Sequence, residues 1–182
     1  MNQTGDYIWK PWRLTASTTP PEIVTYNASM TRRLAADSNE TPLILKRREK
    51  ITRAHSRDCL LLSQHPKSWL WQREILLGNQ QPWLYGYTLT LPSCRSATLW
   101  DLHHIGSKPL GEKLFTTKNV QRVLFEVGEI PKSHYLWNKV QQLQADIPEL
   151  LWARCSLFSY QKNALLLYEI LLPECPGIKN HE

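Results

Sequence analysis

Two runs of strand-type residues joined by a turn constrain this chain more than any other feature. Residues 83–91 read Trp-Leu-Tyr-Gly-Tyr-Thr-Leu-Thr-Leu, with a strict period of two. Trp83, Tyr85, Tyr87, Leu89 and Leu91 share one face, and Leu84, Gly86, Thr88 and Thr90 share the other. A helix would scatter both sets around its axis. Residues 69–77 form a second such run, and Gly78, Asn79, Gln80, Gln81 and Pro82 between the two are turn formers. The pair predicts a β-hairpin in a sheet with one face on a core.

The rest of the chain extends this pattern. Pro20 and Pro21 can open a short helix, and Ser29 is placed to cap a second one. Residues 43–57 read as an extended segment followed by charged material. Residues 96–105 predict a helix with Leu99, Leu102 and Ile105 on one stripe, capped by Ser96 and ended by Gly106, and residues 109–115 a short partner helix. A helix-turn-helix unit thus recurs. Residues 120–127 predict a strand stopped by Gly128, and residues 133–145 an amphipathic helix carrying Leu136, Val140 and Leu143. Residues 151–158 and 164–172 form a second hairpin around Tyr160, Gln161, Lys162 and Asn163, and Pro173 and Pro176 close the ordered part. Hairpins and short helices, without regular crossover helices, predict an α+β fold with an antiparallel sheet.

A chain of 182 residues suits one domain over 1–182, with residues 1–19 a loosely ordered lead-in and 174–182 a tail. No apolar run is long enough to span a bilayer, and the first residues lack the apolar core of a secretory signal, so a cytoplasmic protein is expected. Cys59, Cys94, Cys155 and Cys175 lie far apart with no C-x-x-C, which fits reduced thiols. His103 and His104 are adjacent on a predicted helix, so they face apart and make a poor metal pair. No dinucleotide, phosphate-loop, zinc-protease or nucleophile-elbow motif occurs, so no metal and no cofactor are expected. Eight Trp and seven Tyr imply either bulky core packing or a pocket for a flat ligand.

The net charge is +6, from 22 Lys and Arg against 16 Asp and Glu. Much of it clusters at Lys46, Arg47, Arg48, Lys50, Arg53 and Arg57. Such a cluster can be a solvated face, a site that steers anions to a nearby pocket, or a nucleic-acid contact. Aromatic residues do not interleave it, which argues against single-stranded nucleic acid.

Counting by twos locates two charges on apolar faces. Trp69, Trp71, Arg73, Ile75 and Leu77 point one way, and so do Leu165, Leu167, Glu169 and Leu171. A buried charge is costly unless compensated. Three readings are open: an internal Arg73–Glu169 ion pair, faces that are partly exposed, or two charges lining a ligand cavity. In the third, the arginine fork suits a carboxylate and the glutamate suits a hydroxyl or a proton.

Several stretches in order resemble the bacterial chorismate pyruvate-lyase family, whose members make 4-hydroxybenzoate for ubiquinone. They are Ser29-Met30-Thr31-Arg32-Arg33; Arg73-Glu74-Ile75-Leu76-Leu77 with Pro82-Trp83-Leu84; Gly106 with Pro109-Leu110-Gly111 and Leu114-Phe115; Phe125-Glu126-Val127-Gly128; and the run from Leu165 through Tyr168, Glu169 and Ile170 to Pro173. The resemblance implies a six-stranded antiparallel sheet with helices on one side and helix-turn-helix flaps over a buried ligand pocket. It implies that Arg73 grips the ring carboxylate of substrate and product, that Glu169 meets the ring hydroxyl, and that main-chain groups at Met30 and Leu110 complete the pocket. Arg73 and Glu169 would be the catalytic pair. The partners implied are chorismate and 4-hydroxybenzoate, with no nucleic acid, no stable membrane insertion and a monomeric protein.

The chain departs from the family in four places, one of them the N-terminal third, which apart from the Met30 segment matches poorly. It is longer between Gly128 and Trp152, with an extra helix around residues 133–145. Tyr87 stands where a basic residue is expected, and Lys108 precedes Pro109. Other functions compatible with the same fold are a non-catalytic domain that senses small aromatic acids, and an enzyme releasing a different hydroxybenzoate.

Overall fold

The computed structural model describes residues 10–11, 19–96, 105–106 and 108–178. Six long antiparallel strands carry the fold. They are β2 (Leu43–Arg53), β3 (Trp69–Gly78), β4 (Pro82–Thr90), β5 (Gln121–Pro131), β6 (Leu150–Tyr160) and β7 (Asn163–Leu171). A two-residue strand, β1 (Lys10–Pro11), extends one edge, and the order across the sheet is β1-β5-β6-β7-β4-β3-β2. The two hairpins stand where the alternation places them, and the last strand of the chain joins them by pairing with β6 on one side and β4 on the other. Tyr87 lies opposite Tyr168, and Gly86 opposite Glu169.

Five short α-helices and a 3-10 helix at Pro92–Ser96 complete the described fold; the α-helices are α1 (Glu22–Thr25), α2 (Met30–Ser38), α3 (Ser56–Leu61), α4 (Leu110–Thr116) and α5 (Tyr135–Gln141). Cys59 of α3 and Leu136, Trp137 and Val140 of α5 pack on one face of the sheet, against Tyr85, Tyr87, Leu89, Leu166, Tyr168 and Ile170. Across the sheet, α1 and α2 lay Ile23, Val24, Met30 and Leu34 over Leu77, Leu84, Val127 and Leu171. Beside them, α4 sets Leu110 and Leu114 on Trp71, Phe158, Leu165 and Leu167. The helices α1 and α2 form the first flap and α4 the described part of the second.

Four details differ from the sequence reading. The central strands β3 and β4 are buried on both faces, because the flaps cover the side that alternation leaves to solvent. Gly128 does not stop β5. It pairs with Ala153 on one side and Pro11 on the other, since a glycine keeps the N–H and C=O a ladder needs. The helix expected over 133–145 is shorter: His134 Nδ1 accepts from the Leu136 N–H at its start, and the helix ends after two turns. Ser29 occupies the cap position of α2, yet its hydroxyl makes no capping bond. Residues 97–104 of the helix expected over 96–105, and with them His103 and His104, lie outside the described residues, while Ser96 ends a 3-10 helix. Gly106 takes a left-handed φ of 52°.

The four cysteines are free and buried. No described helix is long and apolar enough to cross a membrane.

Candidate active site

Arg73 and Glu169 are both buried on the flap-covered face, at 1% and 6% exposure, which removes the reading that these faces are open to water. They do not pair with each other. Arg73 lies opposite Thr88 of β4, and Glu169 lies opposite Gly86 of the same strand. Strand β4 therefore separates them, about 10 Å across the sheet from two strand spacings.

Each charge has its own partners. Arg73 Nη2 donates to the carbonyls of Gly106 and Lys108 at 3.1 Å each, and its Nε lies 3.5 Å from Glu49 Oε1. Burial lowers the Arg73 pKa, and the charge of Glu49 works against that shift. Glu169 Oε2 accepts from Arg154 Nε at 2.6 Å. Arg154 is fully buried and also donates to the carbonyls of Tyr26 and Ala28 in the first flap. Beside it, Arg122 donates to the carbonyl and side chain of Asn27 and stacks on Phe115 and Phe125.

The sequence reading missed three of these groups. Arg154 follows from the alternation that flagged Glu169: Trp152, Arg154, Ser156 and Phe158 alternate along β6, and Arg154 sits across from Glu169. Glu49 was hidden in the basic cluster. Arg122 was hidden by a register shift between Arg122 and Leu124.

The flaps bring Met30 and Leu110 over this face. Both side chains are buried, and each is the first residue of its helix, where a main-chain N–H has no helical acceptor. The two helix starts approach closely. A side chain built at Gly111 would meet Ser29 Oγ at 3.8 Å and Thr31 Oγ1 at 3.9 Å.

Several polar atoms on or over this face are buried without a hydrogen-bond partner: Ser29 Oγ, Trp71 Nε1, Arg73 Nε, Arg122 Nη1 and Ser156 Oγ. The 3.5 Å approach of Glu49 to Arg73 Nε is a long ionic contact. An orphaned polar atom costs on the order of 1–3 kcal/mol, so a concentration of them marks a place built for a polar guest.

The other face of the sheet has a different character. Asp58 of α3 accepts from Tyr135 Oη at 2.7 Å and from Tyr168 Oη at 2.6 Å. Tyr87 donates to Gln72, and Lys139 pairs with Glu74 at 3.2 Å. Tyr87, where the resemblance leads one to expect a basic residue, lies in this network. The helix α5 packs here too, with the sheet between it and Arg73. No group of His, Cys, Asp and Glu among the described residues could hold a metal ion.

The sequence profile of the chorismate lyase family matches residues 14–179. The chain belongs to the chorismate lyase family. Its relatives there include the chorismate pyruvate-lyase of Hamiltonella defensa, 31% identical over 150 residues, which span 81% of this chain and 74% of that protein. The chorismate pyruvate-lyase of Salmonella gallinarum is 29% identical over 81% of this chain and 79% of its own length. Among solved structures, the PhnF C-terminal domain superposes with a TM-score of 0.54 at 13% identity, covering 74% of this chain and 84% of that one. At that identity the likeness speaks to the fold alone. This chorismate lyase family member is a carbon–oxygen lyase by the reaction that names its family.

Proposed function

We propose that the protein converts chorismate into 4-hydroxybenzoate and pyruvate, and so supplies the aromatic ring of ubiquinone. The observation that carries this reading is the pair of opposite charges buried on one sheet face, beneath flaps and among orphaned polar atoms. A ligand with a carboxylate at one end and a hydroxyl at the other satisfies both ends of that face.

The chemistry asks little of the protein. Breaking the bond between ring C3 and the ether oxygen, with loss of the C4 proton, makes the ring aromatic. The departing enolpyruvate takes up a proton and becomes pyruvate. Orientation and charge placement suffice to direct such a step. Arg73 grips the ring carboxylate through a bidentate pair, exchanging for it the carbonyls of Gly106 and Lys108. Glu169, with Oε2 held by Arg154, offers Oε1 to the C4 hydroxyl and is placed to handle the proton. Main-chain N–H groups at Met30 and Leu110 close over the ligand. No cofactor enters this scheme. A monomer in the cytoplasm meets its requirements, because all these groups come from one chain.

Incubation of the purified protein with chorismate tests the reading. Equal amounts of pyruvate and 4-hydroxybenzoate are expected. Arg73→Ala should lower kcat/KM by about 100-fold, the size of a charge-assisted pair, with the fold intact by circular dichroism. Glu169→Gln should keep the fold and slow turnover. Tight binding of 4-hydroxybenzoate without turnover would overturn the lyase reading in favour of a sensing domain. Release of another hydroxybenzoate would overturn the product assignment.

A further inference from the structure

Chorismate is a dianion, and Arg73 accounts for one carboxylate only. The second, on the enolpyruvyl arm, must also leave water when the flaps close, and an uncompensated buried carboxylate is expensive. The flap-covered face carries two more guanidinium groups. Arg122 lies 4.3 Å and Arg154 5.9 Å from the centroid of the Phe125 ring. Two cations share one aromatic ring, with Glu169 beside them as the carboxylate.

Their bonding is unequal. Arg154 is committed on three sides, to Glu169 Oε2 and to the carbonyls of Tyr26 and Ala28. Arg122 uses Nη2 on Asn27, while Nη1 is buried without a partner. Ser156, whose hydroxyl is also orphaned, lies opposite Phe125 on the neighbouring strand. The pKa of Arg122 is lowered by burial first and by the charge of Arg154 second. Two like charges crowded against one carboxylate leave an excess of positive charge, which an anion between them would relieve.

We propose that Arg122 and Arg154 form a second carboxylate subsite, with Arg122 Nη1 and Ser156 Oγ as the free donors, for the enolpyruvyl arm of chorismate. This rests on the chorismate reading above and extends it. The subsite adjoins Glu169, as the substrate demands, since the C3 ether and the C4 hydroxyl are neighbours on the ring. Arg122 also touches both flaps, Asn27 in the first and Phe115 in the second. An arm bound there ties flap closure to the presence of the group that will leave. The product 4-hydroxybenzoate has no second carboxylate and makes no use of the subsite.

That difference sets the test. Arg122→Met keeps an unbranched aliphatic stem and removes the guanidinium that lies over Phe115 and Phe125. Arg122→Lys keeps the charge without the fork. In Arg122→Met, kcat/KM for chorismate should fall about 10- to 100-fold, as for the loss of a charge-assisted hydrogen bond. Its affinity for 4-hydroxybenzoate, titrated by calorimetry, should stay within about twofold of wild type by the same reasoning. Arg122→Lys should recover part of the loss. Equal loss of 4-hydroxybenzoate affinity and chorismate turnover would overturn the subsite and leave Arg122 a flap brace. Unchanged kcat/KM would overturn it outright. If wild-type protein releases no pyruvate, the lyase reading fails, and the subsite is judged by binding: chorismate affinity must drop in Arg122→Met while 4-hydroxybenzoate affinity holds.

Discussion

Gly86 shows how tightly single residues shape this site. It lies between Ile75 and Glu169 across three strands. A Cβ at Gly86 would stand 2.8 Å from Ile75 Cγ1 and 3.2 Å from its Cδ1. Gly86→Ala should therefore cost about 1–3 kcal/mol through overpacking, read from urea denaturation. Combined with Ile75→Ala, the two losses should sum to more than the double variant shows, since the second change removes the clash. Arg73 and Glu169 were legible in the sequence because period two holds without interruption through both runs. Arg154 was equally legible by that rule. Arg122 was not, because the register shift between Arg122 and Leu124 breaks the count from Phe125, and strict alternation puts Val123 inward where the structure exposes it. Glu49 could not be assigned without knowing that its strand lies beside β3.

Among the elements, the first flap was readable from its proline pair and the Met30 segment, and α4 from Pro109. What the sequence concealed was the use of Ser29. Its position fits a cap, yet its hydroxyl faces the approach of the second flap. The helix α5 was legible as a helix but not as the element that sets Tyr135 against Asp58 on the far face, because a single amphipathic stripe does not say which side of a sheet it seeks. Its start carries a pH dependence. His134 Nδ1 must be unprotonated to accept from Leu136 N–H, and burial, with Arg57 and His55 nearby, brings its pKa down to about 4. The unfolded chain takes up this proton near pH 6.5, the folded chain only near 4, so stability contributed here falls as pH drops across that window. His134→Asn keeps a capping oxygen and cannot titrate. Its unfolding midpoint should decline less between pH 7 and pH 4 than that of wild type.

For the whole molecule, the decisive event is the insertion of β7 between β4 and β6. It brings Glu169, nearly a hundred residues downstream, to within two strands of Arg73. Local patterns report strands and hairpins, but the order of hairpins in a sheet is non-local, so the sequence reading did not reach it. The other end of the sheet leaves β2 at the edge, with no described strand on its outer side. This strand carries Lys46, Arg47, Arg48, Lys50 and Arg53, mostly exposed, along with exposed Leu45 and Ile51. A bare, partly apolar edge invites another chain to add a strand, and a row of cations is a deterrent. Two copies meeting edge to edge would bring both rows together. The deterrent is electrostatic, so it weakens in about 1 M salt, where the screening length is about 3 Å. Light scattering should find wild type dispersed in dilute buffer and self-associating in concentrated sodium chloride, while Lys46→Thr with Lys50→Thr associates at lower salt. The same charges that could draw an anionic substrate toward the fold would then also keep its molecules apart.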